Sequence, residues 1–177
     1  MKFSLAAGLM ALLGLATAAQ AHVTLETPQT AAGSYYKAVL RVGHGCNGAD
    51  TTRLRVRIPD GVLAAKPQPK AGWTLDLTQG KYDKPQTLHG APVESGVREI
   101  SWSGTLPDAY YDEFVFRVYV SDAFKAGQTV YFPVVQECGQ GASRWIDTSG
   151  KPDVDNPAPG VRIVAPAHEG GGHGHSH

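Results

Sequence analysis

Cysteine and methionine are scarce in this sequence, with two of each among 177 residues, and neither sign of charge predominates: 16 Lys and Arg face 16 Asp and Glu. A chain with no net charge and no block of like charge has little to offer the phosphates of nucleic acid or an anionic bilayer. Neither is expected as a partner. No Gly-x-Ser-x-Gly elbow, His-Glu-x-x-His or phosphate-binding loop is present, so nothing points to hydrolase, metalloprotease or nucleotide chemistry. Helical periodicity longer than a turn or two is missing, and so is any internal repeat. The two cysteines form no Cys-x-x-Cys, which argues against a redox thiol or a thiolate metal site.

What is present is 42% hydrophobic residues, 21 glycines, 12 prolines and seven histidines. That hydrophobic content excludes a wholly disordered chain, and the many turn residues argue against a helical bundle. One domain of ordinary size is expected.

The first 21 residues place Lys2 before an apolar run from Phe3 to about Ala16, then small residues ending in Ala19-Gln20-Ala21. The run is short for a membrane span and the Ala-x-Ala ending suits signal peptidase. Residues 1–21 are therefore expected to be a signal peptide cleaved after Ala21, exporting a protein without a membrane anchor to the periplasm. His22 then becomes the N-terminus. In an oxidising compartment Cys46 and Cys138 are expected to pair, and such a disulfide contributes roughly 2–4 kcal/mol.

Several stretches alternate with the period of a strand that has one wet face. In Arg53 to Ile58 the aliphatic residues share one side and three arginines the other. Phe114, Phe116, Val118 and Val120 repeat the pattern, and Tyr35–Val42, Trp73–Leu77, Val97–Trp102, Thr129–Gln136 and Val161–Val164 complete seven strands. Gly- and Pro-rich turns separate them, as in Pro59-Asp60-Gly61. The expectation is an all-β, antiparallel two-sheet sandwich of cupredoxin-like or immunoglobulin-like form over residues 22–165. Pro133 predicts an edge or bulge in its strand. Residues 150–159 read as a long loop, and Asp108, Asp112 and Glu113 as a solvated one with Tyr110 and Tyr111 packing nearby. Residues 166–177 read as a disordered Gly/His tail in which His173, His175 and His177 form an accessory metal collector or a plain solvated tail.

An N-terminal histidine presents two nitrogens, its α-amine and its own imidazole Nδ1, that close one chelate ring on a metal. Such nitrogen donors suit Cu(II). The blue-copper pattern is excluded, because no histidine follows Cys138 before His168.

The block His22-Val23-Thr24-Leu25-Glu26-Thr27-Pro28, then Ala32-Gly33-Ser34-Tyr35, His44-Gly45-Cys46 and Ile58-Pro59-Asp60-Gly61-Val62, resembles the YcnI-like copper-binding family. Lys66-Pro67-Gln68-Pro69, Gly72-Trp73, Phe132-Pro133-Val134-Val135-Gln136 and Trp145 extend the match to about Ile163. The resemblance implies an exported β-sandwich holding one Cu(II) in a monohistidine brace, with His22 giving amine and ring and Trp145 beside the metal. Relatives often carry an acid where this chain has Tyr36, so His44 is the expected further ligand, with Glu26 and Glu137 as substitutes. Trp73 and Trp102 are expected in the core, and His89 in a loop without evident partners.

The function expected is non-enzymatic copper buffering or delivery, with the ion passed to a periplasmic copper chaperone or a membrane copper transporter. Two rivals differ in class. One is a histidine-brace copper oxygenase, the other a metal-free interaction module.

Overall fold

The computed structural model describes residues 22–139 and 141–165. The expected signal peptide, residues 1–21, and the His-rich tail with His173, His175 and His177 lie outside them. The described residues form twelve strands and no helix. In chain order the strands are β1 (Thr24–Leu25), β2 (Gln29–Ala31), β3 (Ser34–Val42), β4 (Thr51–Arg57), β5 (Val62–Pro67) and β6 (Thr74–Leu88). They continue as β7 (Ala91–Leu106), β8 (Asp112–Val120), β9 (Thr129–Tyr131), β10 (Val134–Cys138), β11 (Gly141–Trp145) and β12 (Gly160–Val164).

One sheet has the order β1-β3-β8-β5 and a second β11-β10-β4-β7-β6. A small third sheet, β2-β12-β9, holds a parallel pair, β2 with β12. The alternation in β4 and β8 puts Leu54, Val56, Phe114, Phe116, Val118 and Val120 into one core together with Trp102, Phe132 and Ile163. Burying a large apolar side chain contributes about 1.5–3 kcal/mol, which makes this shared core the main stabilising element. Trp102 is fully buried and Trp73 packs edge-on against Phe114.

Three expectations need correction. Thr129–Gln136 is not one strand: β9 belongs to the small sheet and β10 to the five-stranded one, with buried Phe132 and Pro133 making the crossing. Pro133 has no N–H to give a ladder, which is why the chain changes sheet there. Asp112 and Glu113 begin β8, and Asp112 is ion-paired to Lys70 at 2.6 Å. Tyr110 and Tyr111 are exposed rather than packed on the sheet.

The Cys46–Cys138 disulfide forms with Cα atoms 5.7 Å apart, fastening the loop after β3 to the end of β10. Close approach explains Gly45: a Cβ there would stand 1.8 Å from the Ala49 carbonyl oxygen. Residues 150–159 form the expected long connection between β11 and β12.

Candidate metal centre

His22 precedes β1, and buried Val23 anchors the segment in the core. β1 pairs with β3 through Thr24 and Arg41, which fixes the direction in which His22 leaves the sheet. Trp145, at the end of β11, meets the His22 ring edge-on with centroids 5.4 Å apart. These two residues are far apart in sequence, and the packing of the four-stranded sheet that carries β1 against the five-stranded sheet that carries β11 brings them together.

Gln136 fixes the tryptophan. Its Oε1 accepts a hydrogen bond from Trp145 Nε1 at 3.2 Å, while its Nε2 donates to the His44 carbonyl at 2.7 Å and to Thr51 Oγ1 at 2.8 Å. Buried in β10 at 2% exposure, Gln136 places the backbone of His44 in the same neighbourhood as Trp145. A buried amide with its groups satisfied rigidifies the site.

The His44 ring is oriented by its own loop. Nδ1–H donates to the Gly45 carbonyl at 2.5 Å, which leaves Nε2 as the ring nitrogen with a lone pair, and Gly45 N–H donates to Asp108 at 2.9 Å. Glu26 is ion-paired with Arg41 at 3.3 Å and Glu137 with Arg55 at 2.9 Å, so both substitute carboxylates already face cations. Tyr36 is buried, and its hydroxyl donates to the Thr27 carbonyl at 2.5 Å. Burial, assisted by the charge of Glu26, pushes its pKa up to about 12. Tyr36 is a core residue here.

Two acids escaped the sequence reading. His22 lines an open depression of about 520 Å³ with Lys151, Asp153, Val154, Asp155 and Pro157. An adjoining depression of about 860 Å³ shares Asp153 and Asp155 but reaches Arg144 and Ile146 instead of His22. The connecting segment is held by Asp147, whose N–H donates to Asn156 O at 3.0 Å and whose carbonyl accepts Ala158 N–H at 2.8 Å. Hydrogen bonds from Ser149 hold the Asp147 carboxyl below the usual carboxylate range. Sequence periodicity carries no information about such a loop, so its approach to His22 has no local signal.

Among the described residues no three His, Cys, Asp or Glu side chains converge as a ready metal cluster. A brace does not need three, since one terminal histidine supplies two donors. The fit therefore rests on His22 lining one depression together with Asp153 and Asp155.

Residues 22–163 match the family described as Domain of unknown function (DUF1775). The chain belongs to the DUF1775 family. This is the family of YcnI-like proteins, in agreement with the motifs read from the sequence. No curated protein matches the chain. An uncharacterized protein from Nocardia farcinica, whose crystal structure reveals an immunoglobulin-like fold, superposes with a TM-score of 0.59 at 22% sequence identity. The match covers 81% of this chain and 99% of that one, and it identifies the fold of this DUF1775 member as immunoglobulin-like.

Proposed function

We propose that this DUF1775 protein is an exported, periplasmic Cu(II) carrier whose site is created when residues 1–21 are removed. The reading rests on one observation above all: His22 stands edge-on to Trp145 and lines one depression together with Asp153 and Asp155. Once freed, the α-amine and Nδ1 of His22 would hold one ion. An amine, an imidazole and a carboxylate form a donor set suited to a divalent ion high in the affinity order, which favours Cu(II). Asp153 or Asp155 takes the role of the acid that Tyr36 replaces, and His44 Nε2 is the competing nitrogen donor.

An open depression suits an ion that is taken up and handed on, so copper is cargo and the role is buffering or delivery rather than catalysis. Isothermal titration with Cu(II) tests this on protein beginning at His22 and on protein retaining Ala21. The first should show one tight site and the second should lose it. Equal stoichiometry and affinity in both would exclude the brace.

A further inference from the structure

The outer face of the β1-β3-β8-β5 sheet carries a feature that copper binding does not use. Register sets Lys37 of β3 directly opposite Arg117 of β8, and Arg117 directly opposite Lys66 of β5. Directly opposed residues share a face, so three cations form one row, about 10 Å across at the usual strand spacing. All three are exposed and border one cavity of about 340 Å³ that half-buried Pro67 and Val115 also line.

Like charges directly opposite each other destabilise a sheet. Elsewhere on this sheet the register pairs Arg41 with Glu113, at 3.7 Å. Among the described residues the ion-paired cations are Arg41, Arg55, Lys70 and Arg98, and none of the row is among them. The next outward-facing pair along the strands is aromatic: Tyr35 opposes Tyr119 with ring centroids 5.3 Å apart. His89, at the tip of the β6–β7 hairpin, reaches across to hydrogen-bond the Tyr35 hydroxyl at 3.0 Å, and the Arg117 guanidinium lies 3.6 Å over the Tyr35 ring. Tyrosine and arginine are the residues that dominate binding energy at protein interfaces, and Tyr35 remains 43% exposed.

We infer that this face docks an acidic segment of a partner protein, its carboxylates on the Lys37–Arg117–Lys66 row and an apolar side chain in the cavity over Val115 and Pro67. The concave shape favours an inserted side chain over a flat lipid surface. The adjacent Tyr35, Tyr119 and His89 extend the area beyond what a small anion would cover. Nothing in this inference depends on copper.

The test uses the copper-free full chain as secreted and a decaglutamate peptide at low ionic strength, followed by titration calorimetry and amide chemical shifts. Shifts should centre on Lys37, Lys66, Arg117 and Tyr35. The double reversal Lys37→Glu with Lys66→Glu should weaken binding about tenfold or more, because close charge pairs dominate such contacts. Lys81→Glu with Lys84→Glu, an equal change in net charge on exposed strand positions, should stay within about twofold. The first variant should melt no lower than the parent, since it relieves the opposition to Arg117. Absence of peptide binding, or equal weakening by both variants, would overturn the inference. Displacement of the peptide by equimolar citrate, or binding only to phosphatidylglycerol vesicles, would also overturn it in favour of a small anion or a membrane.

Discussion

Replacing Gln136 by leucine, a side chain of similar size, should remove the network that holds Trp145 without opening a large cavity. Three bonds are lost, to Trp145 Nε1, Thr51 Oγ1 and the His44 carbonyl. A buried polar group left unpaired costs about 1–3 kcal/mol. Thr51 is fully buried and Trp145 is 7% exposed, so water does not readily reach either, whereas His44 is half-buried and can be rehydrated. Two uncompensated groups imply a loss of about 3 kcal/mol. For a domain of this size that corresponds to a fall in Tm of about 6–12 °C, to be read by calorimetry on copper-free protein. Near-UV circular dichroism should also lose intensity as the indole is released. A loss under about 1 kcal/mol with unchanged dichroism would refute the network as the device that positions Trp145.

Other expectations are as direct. Gly45→Ala forces the His44–Ala49 turn apart and should cost about 2–3 kcal/mol in urea unfolding, with the disulfide intact. Reduction of Cys46–Cys138 should lower stability by about 2–4 kcal/mol, measured by chemical denaturation with and without reductant. Tyr36 ionises at about 12 in the folded chain against 10.0 ordinarily, so the unfolded state releases its proton first as pH rises. Its stabilisation is complete below pH 10 and lost towards pH 12, roughly 2–3 kcal/mol of slope that Tyr36→Phe should remove from urea midpoints across that range. Cu(II) affinity should fall with falling pH, since amine and imidazole must both be deprotonated to bind, and titrations between pH 8 and pH 5 check the sign.

The sandwich was legible wherever one face of a strand is buried and the other wet, as in Arg53–Ile58 and Phe114–Val120. It was not legible in the outer half of the β6–β7 hairpin. There β6 is exposed on most positions and no alternation marks the pleat. Short edge strands such as β1 and β11 likewise bury too little to leave a pattern. The split at Pro133 follows from a missing N–H, but which sheets the halves would join depends on pairings from distant parts of the chain. His22 and Trp145 came from a motif pattern rather than from periodicity. Asp153, Asp155 and the hub role of Gln136 arise only once β10, β11 and the loop before β12 are folded together.

The central claim is that His22 binds copper through both its amine and its ring. Pulsed electron paramagnetic resonance of the Cu(II)-loaded protein beginning at His22 tests it most directly. One coupled imidazole, lost in His22→Ala, and one directly bound amine nitrogen, lost when Ala21 precedes His22, are the predicted result. A spectrum without imidazole coupling, or one unchanged by His22→Ala, would contradict it.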